Sequence, residues 1–176
     1  MNRARAALLL ILLGCGSALA QPRFGLAPDA YEVFAKWMTT SCIGEDAQRW
    51  RESLLRYRAV LTPAFQRALA DGPTSDDVAA ARSAADARYA ALATFPLAEY
   101  RIAGLDPQSL ARLSRPSRKV YVDDQVQRYV TGYKSNAIAG LAIVGGPQAR
   151  ASLARLAAAR DDPLAPAAAE GLKSLR

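Results

Sequence analysis

The chain has 176 residues, 51% of them hydrophobic, and carries 23 lysines and arginines against 16 acids, a net charge of +7 with no histidine. That length suffices for one domain with a real core. The missing histidine removes Ser-His-Asp triads, Cys-His pairs and the commonest zinc ligand sets.

Arg3 and Arg5 precede a compact apolar run, Ala6 to Leu13, and Ala18-Leu19-Ala20 follows. A basic start, a short apolar run and a small-x-small end form an export signal over residues 1–20, cut after Ala20 to leave Gln21 first. The run falls short of the roughly 20 residues that a membrane-spanning helix needs. Leu12-Leu13-Gly14-Cys15 also resembles the bacterial lipoprotein box. That resemblance implies acylation of Cys15, which would become the first mature residue, held in the membrane by several acyl chains. Gly16 stands where an Asp would retain such a lipoprotein in the inner membrane, so the resemblance implies the outer membrane. Both routes predict an exported protein of the bacterial periplasm or cell envelope.

The leader holds two arginines and no acid, so cleavage after Ala20 leaves about 156 residues with a charge of +5. It also leaves Cys42 as the sole cysteine, and no intramolecular disulfide can form. A lone thiol outside the cytoplasm suits an intermolecular disulfide or a reactive group. It equally suits a small buried hydrophobe at the end of the first helix.

Asp29 to Ser41 is predicted as a helix, with Tyr31, Phe34, Ala35 and Met38 on its buried face. Ile43 to Asp46 reads as a turn. A second helix runs from Asp46 to Leu61 on the stripe Trp50, Leu54, Tyr57 and Leu61, and Thr62-Pro63 breaks or kinks it. Ala64 to Ala70 resumes as a short helix. Thr74-x-x-Asp77 approximates a capping box and opens a helix that buries Val78, Ala81, Ala85, Tyr89 and Leu92 and ends near Phe95-Pro96. Residues 97–106 hold a helical turn or a short extended piece, and 107–113 a short helix. Ser114 to Lys119 is a polar basic loop, the best candidate for a mobile segment.

From Asp123 onward Val126, Val130, Tyr133, Ala137, Leu141 and Val144 recur every three or four residues, a long amphipathic helix. Gly145-Gly146-Pro147 ends it and starts another, carrying Ala149, Leu153 and Leu156. Asp161-Asp162-Pro163 turns the chain into a last helix with Leu164, Ala168, Leu172 and Leu175 on one face. No element requires a strand. The predicted class is all-α, built of antiparallel helical hairpins.

A shift of 31 residues lays Asn136-Ala-Ile-Ala-Gly-Leu141 over Ala167-Ala-Ala-Glu-Gly-Leu172. Ala137, Gly140 and Leu141 then match Ala168, Gly171 and Leu172. With the Gly-Gly-Pro and Asp-Asp-Pro turns, this pattern resembles the short HEAT repeats of the bilin-lyase type over about 50 residues. The resemblance implies a C-terminal α-solenoid of about one and a half repeats across 121–176, following an N-terminal helical region across 21–120. In such repeats small residues let paired helices approach closely, and the surface serves protein partners. Since about three repeats normally bury one another's faces, the helices from Asp29 to Phe95 are expected to cap the pair in one continuous domain.

Acid pairs occur at Glu45-Asp46, Asp76-Asp77, Asp123-Asp124 and Asp161-Asp162, all at expected helix starts, where carboxylates meet the positive end of the helix dipole. A hydrolase would instead need two of them facing across a cleft. No cofactor, metal or catalytic residue is expected, nor is nucleic acid, because aromatics do not alternate with the basic residues. Arg49, Arg51, Arg56, Arg58 and Arg67, with Arg115, Arg118 and Lys119, suit an anionic surface such as a membrane or, with more weight, a solvated face. Tyr121, Tyr129 and Tyr133 with Arg128 and Lys134 cluster on the long helix. Of these, Tyr129, Tyr133 and Lys134 are the expected protein-partner surface. The expected function is that of a non-enzymatic envelope protein that binds another protein; the alternatives are a lipid-anchored module held through Cys15 and, with least weight, a cell-envelope hydrolase that uses the acid pairs.

Overall fold

The computed structural model describes residues 23–39, 43–93 and 116–175. The expected export signal with Cys15 and Ala20, Cys42, and the elements expected across 97–113 lie outside them. Among the described residues the protein is all-α, with no strand. Seven α-helices follow a short 3-10 turn at Arg23–Gly25: α1 Pro28–Thr39, α2 Ile43–Arg56, α3 Arg58–Asp71, α4 Ser75–Ala93, α5 Arg118–Val144, α6 Gly146–Ala158 and α7 Ala165–Ser174.

Local chemistry sets most of these boundaries. Pro28 opens α1, where its missing N–H has no helical acceptor to lose, and Asp29 lies in the positive first turn. Thr74 and Asp77 close the capping box in both directions: each backbone N–H donates to the other's side-chain oxygen at 3.1 Å. Gly145 and Gly146, at φ +63° and +88°, turn the chain between α5 and α6 in a region that side chains with a Cβ avoid. Asp162 Oδ1 accepts the Leu164 N–H at 2.8 Å and holds the turn into α7.

Three boundaries differ from the sequence reading. The turn expected at Ile43–Asp46 is the first turn of α2. The break expected at Thr62-Pro63 falls at Tyr57, and α3 runs through Pro63. Pro63 removes the donor to the Ala59 carbonyl four residues back, within the first turns of α3, without ending that helix. The long helix begins at Arg118, because Ser117 Oγ accepts the Val120 N–H at 3.3 Å and caps it. Arg118 and Lys119, expected in a mobile loop, are therefore helical, and α5 crosses the boundary expected at 120/121.

The 27-residue α5 is about 40 Å long at 1.5 Å per residue, and it touches each of the other six described helices. Its C-terminal half lies in the main core. Trp37, Leu54, Leu61, Phe65, Leu141, Val144 and Leu153 are fully buried there, contributed by α1, α2, α3, α5 and α6. Ala168 joins from α7. Small residues admit large neighbours at two points. A Cβ on Gly140 would sit 2.6 Å from the Phe65 ring of α3, and one on Gly171 would sit 3.4 Å from Leu153 of α6.

Polar bonds fix the register of this packing. Trp37 Nε1–H donates to the Asn136 carbonyl at 2.8 Å, and the Asn136 amide donates to the Met38 carbonyl at 3.0 Å. The end of α1 is thereby tied to the middle of α5 with its buried polar groups satisfied. Gln66 Nε2 reaches from α3 to Ser152 Oγ of α6 at 2.7 Å. Tyr57 donates to Asp29 at 2.7 Å and holds the α2–α3 break against the start of α1. That bond keeps the Asp29 carboxyl below the usual carboxylate range and raises the Tyr57 hydroxyl.

The N-terminal half of α5 packs differently. With α4 it forms a two-helix arm whose apolar interior is Ala85, Val122 and Val126, flanked by Val78 and Tyr121 and separate from the main core. Its outer bonds are ionic: Arg82 and Lys119 both meet Asp123 at 2.8 Å, and Arg118 forks onto Asp86. Arg118 depresses the Asp86 carboxyl, and Lys119, then Arg82, depress that of Asp123.

Candidate functional site

Tyr129, Tyr133 and Lys134 do not share one surface. Tyr129 is 36% exposed and Tyr133 only 7%, although their rings lie 6.5 Å apart on the same side of α5. Four residues advance a helix by about 40° beyond one full turn. That is enough to carry Tyr133 from the arm into the core, so its place in an accessible partner surface is corrected. Lys134, a further 100° around, faces another cleft.

Tyr129 belongs to the arm. It lines a shallow cleft of about 560 Å³ between α4 and α5, floored by Ala81 and Ala85 and edged by Arg88, Gln125 and Arg128. Arg128 is engaged by Asp124 at 2.8 Å, one turn earlier in α5.

Lys134 belongs to a cleft of about 650 Å³ between α3, α5, α6 and the turn before α7. Its floor is apolar, from Leu69, Leu156 and Leu164, and its polar groups are Gln66, Lys134, Ser152, Arg155 and Asp162. The Lys134 stem is half-buried and packs along Gly72, with Cε 3.3 Å from where a Cβ would stand. Neither Lys134 nor Arg155 forms an ion pair among the described residues. Ser152 Oγ accepts from Gln66, which leaves its own proton to donate. Asp162 supplies one negative charge, and its Oδ1 is committed to the Leu164 N–H.

Sequence spacing pointed to Lys134 alone among these groups. Gln66, Ser152 and Arg155 come from other helices, and no local pattern unites them.

The acid pairs have structural work where their side chains are described. Asp76 and Asp77 lie in the first turn of α4. Asp123 and Asp124 stand in the second turn of α5, not at its start, and bind Lys119, Arg82 and Arg128. Among the described residues no three His, Cys, Asp or Glu side chains come together as a metal site would require. No helix among them is long and apolar enough to cross a membrane. Comparison with family models, with curated proteins and with solved structures finds no match.

Proposed function

We propose that this is an exported, non-enzymatic protein of the bacterial periplasm or cell envelope whose helical scaffold of HEAT-like hairpins binds a protein partner. The observation that carries the reading is the repeated fit of small against large. Gly140 and Gly171, 31 residues apart, each face a large side chain of a preceding helix, Phe65 of α3 and Leu153 of α6. Ala137 and Ala168, also 31 apart, are both fully buried. On this reading α3 takes the place of the helix that a preceding repeat would supply, and α1 and α2 close the apolar end of the stack. The export signal places the scaffold outside the cytoplasm.

Site-specific photocrosslinking in intact cells tests it. Probes at Tyr129 and at the exposed Ala159 should each be assayed, because these positions line the two clefts. A discrete adduct, identified by mass spectrometry, is expected from at least one. Absence of any adduct from either would contradict partner binding.

A second reading is favoured by Leu12 to Cys15, the segment that resembles a lipoprotein box. Lipidation at Cys15 would hold the protein at the membrane, and exposed Arg51, Arg56, Arg58 and Arg67 would add attraction to anionic lipid. Radiolabelled palmitate incorporated by the native chain and lost in Cys15→Ser is the expected result on this reading. An unlabelled mature form that begins at Gln21 would exclude it.

A further inference from the structure

We propose that the cleft between α3, α5 and α6 is a carboxylate site that takes the C-terminal end of a polypeptide chain. Lys134 and Arg155 would meet the charge, and Leu69, Leu156 and Leu164 would meet the last side chain. This deepens the partner-binding reading and rests on it for the source of the carboxylate.

Lysine and arginine side chains without a carboxylate partner are ordinary on an open surface, but Lys134 is half-buried against Gly72 and lies over leucines in a cleft. Partial desolvation strengthens its attraction for an anion relative to a fully solvated lysine. Arg155 lines the same cleft and adds a planar fork of donors that matches a carboxylate. Among the described residues that line the cleft, only Asp162 opposes these two cations, and one of its oxygens accepts from the turn. The cleft therefore carries a net positive charge.

The neutral groups narrow the ligand further. Ser152, positioned by Gln66, offers a hydroxyl donor beside the cations. The leucine floor makes a fully hydrated inorganic anion a poor complement, since it would leave that apolar surface uncovered. A chain terminus places a carboxylate and a side chain on one carbon, which matches cations and leucines set side by side. Both clusters sit on helices of the main core, so the site is held in shape before any ligand arrives.

The test is a titration of the isotopically labelled full chain at low ionic strength, followed by amide chemical shifts. The probes are N-acetyl-leucine as its carboxylate, N-acetyl-leucinamide, octanoate and inorganic phosphate. N-acetyl-leucine should shift signals from residues 66–70, 134, 152–156 and 159–164, with the affinity of about 1–10 mM that so small a probe allows. The amide, lacking the charge, should bind about tenfold more weakly or worse.

Lys134→Met keeps the stem against Gly72 and removes the charge, and should cost about tenfold for the carboxylate and little for the amide. Arg155→Gln, at an exposed position, should act in the same direction and guards against a folding defect in the first variant. Equal shifts from carboxylate and amide, or full affinity in both variants, would overturn the site. Phosphate or octanoate binding as tightly as N-acetyl-leucine would overturn the peptide assignment.

The crosslinking experiment separates the two levels. A partner captured equally by Lys134→Met would overturn the cleft as its contact and leave partner binding standing. Carboxylate binding without any captured partner would overturn the scaffold reading and leave the cleft.

Discussion

The two halves of α5 show how one helix can live in two environments. Its C-terminal half is enclosed by α1, α3, α6 and α7, with large side chains fully buried and Asn136 locked to the end of α1. Its N-terminal half pairs chiefly with α4 around Ala85, Val122 and Val126, and exposed ion pairs stitch the outside. Burial of apolar area dominates stability, and surface ion pairs contribute little. The core should therefore hold the fold, while the arm follows it at lower cost.

The largest effects are expected in the core. Phe65→Ala should destabilise the protein by about 3–5 kcal/mol, read by urea unfolding, because the ring leaves a cavity against Gly140. Gly140→Ala should cost about 1–3 kcal/mol by overpacking the same ring. In a Phe65→Leu background that cost should shrink, and an undiminished penalty would show that the two do not share one contact. Asn136→Ala should cost about 1–3 kcal/mol by leaving the Met38 carbonyl without its donor.

In the arm the expected effects are smaller and local. Val126→Ala should cost roughly 1–2 kcal/mol and should accelerate amide exchange in α4 more than in α3. Equal acceleration in both would remove the distinction between the regions.

Acid and salt should give the smallest effects. Asp86 and Asp123 have folded values held below that of the unfolded chain, about 3.8. Their stabilisation is complete above that unfolded value and is lost as pH falls through the depressed folded ones. Lowering the pH below about 4 should loosen the arm, where Asp86 and Asp123 are held low, more than the core, where Asp29 is, and Asp86→Asn should flatten the response of the arm. Raising the salt should weaken the same bonds, because all of these groups are exposed.

How far the sequence foretold this division depends on the range of the interactions. The stripe from Val126 to Val144 and the capping box at Thr74 and Asp77 were legible because each is settled within a few residues of chain. The break at Tyr57 was not, since the sequence marks only the proline at 63, which α3 accommodates. Tyr133 was misplaced for another reason. A tyrosine beside an exposed one reads as surface until the neighbouring helices are known, and those neighbours lie far away in sequence. Asn136 shows the same gap: its acceptor, the Met38 carbonyl, is 98 residues away. The cleft around Lys134 was equally illegible, because Gln66, Ser152 and Arg155 meet it only through the packing of α3 and α6 on α5.

Native-state hydrogen exchange across α5 tests the central claim most directly. Amides at 121–131 should share a lower opening free energy with those at 80–91, while amides at 136–144 should share a higher one with those of α3 and α6. A single opening free energy along all of α5, common to α3 and α4, would contradict the division into core and arm.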